Sequence, residues 1–117
     1  MISIGTDIIL VSRIKELIIK NKGSFLKKIF TSKEIKYCNT FSNSYVHFSG
    51  KYAAKEAVKK ALLSKKIVKT ISIKNIQVLN NSDKSPYIKI NNLESLKCNV
   101  SISHDGNYAI AFVILEK

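Results

Sequence analysis

The hydrophobic pattern of this chain changes period after its helical part, and that change confines the fold. From Ser12 to about Leu63 apolar residues recur every three to four positions, and from Thr70 onward every two. Ahead of the helical part stands "ISIGTDII" (Ile2 to Ile9). Its alternation puts Ile2, Ile4, Thr6 and Ile8 on one side of a short strand and Ser3, Gly5, Asp7 and Ile9 on the other. Beyond the helical part, "TISIKNIQVL", "PYIKI", "NVSIS" and "YAIAFVIL" are strand candidates. The last two are joined by His104-Asp105-Gly106-Asn107, whose Asp-Gly pair signals a hairpin. One strand, then helices including one long helix, then an antiparallel sheet is an α+β order.

Within the helical part, "SRIKELIIK" predicts a helix from Ser12 to about Lys20, with Ser12 as its cap and Gly23 breaking it. "FLKKIFTSKEIKYC" predicts a helix, a break near Thr31, and a second short helix opened by Thr31 and Glu34 in capping-box spacing. Asn39 to Val46 predicts a loop, and Val46 to Leu63 the long helix. The chain has 117 residues, one proline and four glycines, so a single domain spanning 1–117 is expected, with no linker. Its apolar runs are too short for a membrane span, and the N-terminus lacks the pattern of a secretory signal. Cys38 and Cys98 have no metal or redox spacing and read as buried reduced thiols, so a cytoplasmic location is expected.

"YAIAFVIL" (Tyr108 to Leu115) is apolar at every position, so both faces of that strand need cover. Helices packed mostly on one side leave the other face to association between copies.

The net charge is +12, from twenty basic and eight acidic residues, with Arg13 the one arginine. A composition rich in lysine, isoleucine and asparagine accounts for part of this excess. An acidic partner is the functional explanation: nucleic acid, an anionic membrane, a phosphorylated small molecule or an acidic protein. Charge alone does not choose among them.

Two of the eight acids stand in unexpected places. Glu56 lies in "FSGKYAAKEAVKKAL" (Phe48 to Leu62). At 100° per residue, Gly50, Ala53, Ala54, Ala57, Val58 and Ala61 share one face suited to close packing. Lys51, Lys55 and Lys59 fall opposite, toward water, and Glu56 and Lys60 on the boundary. An ordinary i,i+4 Glu56–Lys60 pair is one reading. Asp7 opposes the β-propensity of its isoleucine-rich strand, and a carboxylate near the core needs a partner. A lysine would serve; so would a divalent cation. Mg²⁺ commonly takes one or two protein carboxylates and fills its shell with water and substrate phosphates. Asp7 and Glu56 are 49 positions apart, and spacing does not show that they meet.

"IGTDII" with Arg13-Ile14, "FLKKIFTSKE", "FSGKYAAKEAVKKAL", "SPYI" and "VSISHDGNYAIAFVI" occur in that order. Together they resemble the holo-[acyl-carrier-protein] synthases, the small bacterial-type 4'-phosphopantetheinyl transferases, over nearly the whole chain. The resemblance implies transfer of 4'-phosphopantetheine from coenzyme A to a serine of apo acyl carrier protein, releasing adenosine 3',5'-bisphosphate, in the service of fatty acid biosynthesis. It implies Mg²⁺ on Asp7 and Glu56, with Lys60 completing the catalytic set at the phosphates, and His104 in the coenzyme A site. Arg13, on the basic first helix, would receive the acidic carrier protein. The family's homotrimers, with active sites between subunits, would suit the uncovered last strand. No dedicated base for the carrier serine stands out; a water held by the metal or by a carboxylate is the first candidate and His104 the rival.

Two stretches depart from the family pattern. "LSKKI" (Leu63 to Ile67) stands where a glycine-bearing turn is usual, and Ser85 replaces the glycine before Pro86. The competing reading is a basic, non-enzymatic nucleic-acid-binding domain. Against it, the strands carry aliphatic residues rather than stacking aromatics, and a sole arginine limits base readout. A family member that has lost turnover is a third reading.

Overall fold

The computed structural model describes residues 1–21 and 23–117. β1 (Ile2–Leu10) leads into four helices, α1 (Val11–Asn21), α2 (Gly23–Ile29), α3 (Ser32–Cys38) and α4 (Ser44–Ser64). Then follow a 3-10 turn (Ile73–Asn75) and β2 (Ile76–Asn80), β3 (Pro86–Ile90), β4 (Lys97–Asp105) and β5 (Tyr108–Glu116). One antiparallel sheet has the order β1-β5-β4; β2 and β3 form a separate antiparallel pair.

α4 lies across one face of the three-stranded sheet because both partners present small groups there. A Cβ on Gly5 would fall 1.9 Å from the Ala57 carbonyl oxygen, and one on Gly50 would fall 2.9 Å from Ile102. Glycine at position 5 lets strand and helix approach backbone to backbone, and at position 50 it leaves room for the Ile102 side chain. Ala53, Ala54, Ala57, Val58, Ala61 and Leu62 then pack against Ile76, Val78, Ile90, Ala111, Val113 and Leu115 in the main core. A second cluster of Ile14, Phe30, Cys38 and Phe48 seats α1, α2 and α3 on the first half of α4.

The period-two partition of β1 holds, with an inversion of the usual sense. Ser3 and Gly5 face the helix, whereas Ile2, Ile4 and Ile8 face away. β5 repeats the pattern: Ala109, Ala111, Val113 and Leu115 are buried, and Tyr108, Ile110 and Phe112 point outward. The register sets Ile4 beside Ile114, Thr6 beside Phe112, Ile8 beside Ile110 and Leu10 beside Tyr108. Ile2, Ile4, Ile8, Leu10, Tyr108, Ile110 and Phe112 are each 41–61% exposed, on one contiguous face.

Several local expectations need correction. Lys51 and Lys55 do not face water: both are buried, and the open side of α4 carries Tyr52, Glu56, Lys59 and Lys60. Their ammonium groups find acceptors inside. Lys51 Nζ donates to the Val78 carbonyl and Asn80 Oδ1, each at 2.5 Å, and Lys55 Nζ donates to the Ile76 carbonyl at 2.6 Å. Lys55 also pairs with Glu34 at 2.9 Å, both side chains fully buried. Burial lowers the pKa of both lysines, and Glu34 acts against that shift. The capping box at Thr31 forms as expected, and Glu34 extends it, accepting from the Thr31 and Val78 N–H groups at 2.7 Å each. α1 begins at Val11, and its opening is held by Asn107 rather than capped by Ser12. Asn107 accepts from the Val11 and Ser12 N–H groups through its carbonyl and side chain, and donates to Ser12 Oγ. α4 starts at Ser44, inside the stretch read as loop, and β2 starts only at Ile76, after the 3-10 turn. The β4–β5 loop is Gly106-Asn107, one step later than an Asp-Gly turn, with Gly106 at φ +56°. Cys38 is buried and Cys98 half-buried, both as free thiols.

Candidate active site

The inner face of β1 brings Asp7 beside the open side of α4. Tyr52, Glu56 and Lys60 follow one another at i,i+4 spacing, so all three project from one stripe of the helix. Asp7, Arg13, Tyr52 and Glu56 line one cleft of about 330 Å³, whose apolar walls are Ile8, Ile9, Ile14 and Leu17. Lys60 Nζ reaches Asp7 Oδ1 at 2.9 Å and the Thr6 carbonyl at 3.0 Å. Lys60 is therefore paired with Asp7, and among the described residues Glu56 makes no ion pair with Lys60.

Asp7 Oδ2 is buried and has no hydrogen-bond partner among the described residues. A buried carboxylate oxygen left unpaired is costly, so this atom belongs where a further positive group can reach it. A second carboxylate in the same cleft makes an oxygen donor pair of the kind Mg²⁺ accepts. Among the described residues no cluster of three or more His, Cys, Asp and Glu side chains is present. Tyr52 belongs to an aromatic series, Tyr37, Phe41, Tyr45, Phe48 and Tyr52, whose three-to-four-residue spacing reads as core; the structure places it in the cleft, four residues before Glu56. Burial, and secondarily the neighbouring Glu56, raise its pKa.

His104 is not brought to this cleft within the chain. It lines a second cleft of about 260 Å³ with His47, Lys51, Asn80 and Lys84, walled by Tyr37, Phe41 and Pro86. At 100° per residue His47 and Lys51 lie on the side of α4 opposite Glu56, so the helix separates the two clefts. The His47 ring stacks on Phe41 at 3.8 Å. Burial first, and then His104, lower the His47 pKa.

A family model for the 4'-phosphopantetheinyl transferase superfamily matches residues 3–113. The holo-[acyl-carrier-protein] synthase of Thermodesulfovibrio yellowstonii is 46% identical over 112 residues, covering 96% of each chain. The chain belongs to the holo-[acyl-carrier-protein] synthase family. The Ehrlichia chaffeensis synthase is 43% identical over 120 residues, covering 98% of this chain and 96% of its own. Among solved structures, the Helicobacter pylori synthase in complex with coenzyme A superposes with a TM-score of 0.84 at 30% identity, over 97% of this chain and 99% of that one. The Bacillus anthracis synthase, in complex with coenzyme A (3',5'-ADP), gives 0.82 at 32% identity, over 98% and 96%. Membership in a synthase family makes this chain an enzyme, and the excess of lysine is not the mark of a non-enzymatic nucleic-acid module. Among the described residues no helix is long and apolar enough to cross a membrane.

Proposed function

We propose that this enzyme transfers 4'-phosphopantetheine from coenzyme A to a serine of apo acyl carrier protein, with adenosine 3',5'-bisphosphate as the second product. The observation that carries this reading is the shared cleft of Asp7 and Glu56, residues 49 positions apart, with the Lys60 ammonium on Asp7. Synthases of the same family, 30% and 32% identical to this chain, have been solved with coenzyme A.

The serine Oγ would bond to the phosphorus bearing the pantetheine arm. The bridging P–O bond would break, and its electrons would leave on the nucleotide phosphate. Substrate negative charge opposes this attack, so the site must present positive charge where the diphosphate lies. Asp7 and Glu56 would hold Mg²⁺, which when bound neutralises the diphosphate and the charge building on the leaving group. Lys60, on its flexible stem, would add a compact positive charge beside them. The serine proton would pass to a water held by a carboxylate of the pair; His104 is reserved for the coenzyme A site. Arg13 lines the same cleft and would meet the acidic carrier protein where its serine enters. Aligning serine and diphosphate would supply much of the remaining acceleration.

The assembly is read as a homotrimer, and the exposed face of β1 and β5 supports burial against another copy. Ile8 belongs both to that face and to the Asp7 cleft, so a neighbouring copy would dock at the edge of the site. His104 of one copy would then serve the cleft of the next. A cytoplasmic location agrees with two free thiols. The test is incubation with coenzyme A, Mg²⁺ and apo carrier protein, followed by intact mass of the carrier. Gain of one phosphopantetheine per carrier is expected; an unchanged mass in the presence of folded enzyme overturns the reading.

A further inference from the structure

The geometry points to a second task for Lys60: its ammonium is a built-in counter-ion for Asp7, which the metal must displace. This rests on the metal site proposed above. Lys60 Nζ contacts Asp7 Oδ1 at 2.9 Å and the Thr6 carbonyl at 3.0 Å, so it is seated by two acceptors rather than drifting in solvent. The two partners of this ion pair differ in freedom. The Asp7 side chain is only 14% exposed and sits on a strand, whereas that of Lys60 is 56% exposed at the end of a four-carbon stem. One partner is fixed and the other can leave.

A divalent cation held by Asp7 and Glu56 needs the charge that Lys60 now neutralises. An ammonium held 2.9 Å from Asp7 Oδ1 would repel a cation drawn to the unpartnered Oδ2 of the same carboxylate in a partly desolvated cleft. Metal and ammonium therefore compete for Asp7. The displaced ammonium is released beside the cleft, where the diphosphate arrives. A diphosphate that draws Lys60 away in turn strengthens metal binding, since the coupling between two ligands is reciprocal. Lys60 thus keeps the acidic cleft neutral until metal and diphosphate are both present.

Mn²⁺ titration of the free full-length enzyme, followed by electron paramagnetic resonance without coenzyme A, tests this. Lys60→Met, and Lys60→Gln as a polar control, are expected to tighten Mn²⁺ binding about two- to fivefold, the strength of a partly exposed ion pair. Asp7→Asn and Glu56→Gln are expected to weaken it at least tenfold. Circular dichroism confirms that each variant is folded. If the carboxylate variants weaken binding but both Lys60 variants bind Mn²⁺ no more tightly than the wild type, the counter-ion role is wrong and the metal site stands. If Asp7→Asn and Glu56→Gln leave binding unchanged, the metal site itself falls, and this role with it.

Discussion

Gly5 sets the distance between the strand that carries Asp7 and the helix that carries Glu56 and Lys60. With its missing Cβ 1.9 Å from the Ala57 oxygen, no side chain fits without moving α4 off the sheet. Gly5→Ala should destabilise by about 1–3 kcal/mol, the usual range for overpacking. Its activity should fall further than its stability, because the Asp7–Lys60 geometry opens; thermal melts and carrier-loading rates on the same preparation check both. Cys38 supplies a pH test. Burial pushes its thiol up to about 12 from an ordinary 9.0. The unfolded chain therefore releases that proton more readily, so stability is full below about pH 9 and declines as pH rises toward 12. Urea midpoints measured from pH 8 upward should fall, and Cys38→Ala should flatten part of that slope. Asp7 and Glu56 were legible in the sequence as acids out of place. The burial of Lys51 and Lys55 was not, because their acceptors, Glu34 and the β2 carbonyls, come from elements that no helical wheel includes.

Elements were legible where their signals are local. The Thr31–Glu34 capping box and the strand from Pro86 to Ile90 lie where the pattern places them, because caps and alternation depend on near neighbours. The start of β2 was not, since "TISIK" alternates as a strand does, yet Ile73–Asn75 forms a 3-10 turn. The end of α4 shows how a departure from the family pattern is accommodated. Lys66 takes φ +55°, and the Lys66 and Ile67 N–H groups donate to the Leu63 and Leu62 carbonyls. This is the left-handed exit that glycine usually provides, adopted here by a lysine at a cost of about 1–2 kcal/mol. Lys66→Gly should recover about 1 kcal/mol and raise the melting temperature. An unchanged or lower melting temperature would mean that the lysine side chain contributes more than the strain removes. At the Ser85 departure the turn is closed by Asp83, which accepts from the Ser85 N–H and hydroxyl.

At the scale of the molecule, the layout is half a sandwich: α4 covers one face of the β1-β5-β4 sheet, and the other face is exposed, apolar across β1 and β5 and polar along β4. A face with seven large apolar side chains exposed by 41–61% calls for a partner. Phe112→Lys should shift the enzyme toward monomer in size-exclusion light scattering and lower carrier loading. A wild type that elutes as a monomer would refute association through this sheet. The need for cover was legible in "YAIAFVIL", but which face stays open depends on where α4 lands, and the two glycines decide that. The meeting of Asp7 and Glu56 depends on the same docking. The most direct measurement is therefore Mg²⁺-dependent carrier loading by wild type, Asp7→Asn and Glu56→Gln, read by intact mass. The account predicts full loading by the wild type and loss of at least about 10²-fold in rate for each variant, with folding stability within about 0.5 kcal/mol for Glu56→Gln. Wild-type rates in either folded variant would contradict it.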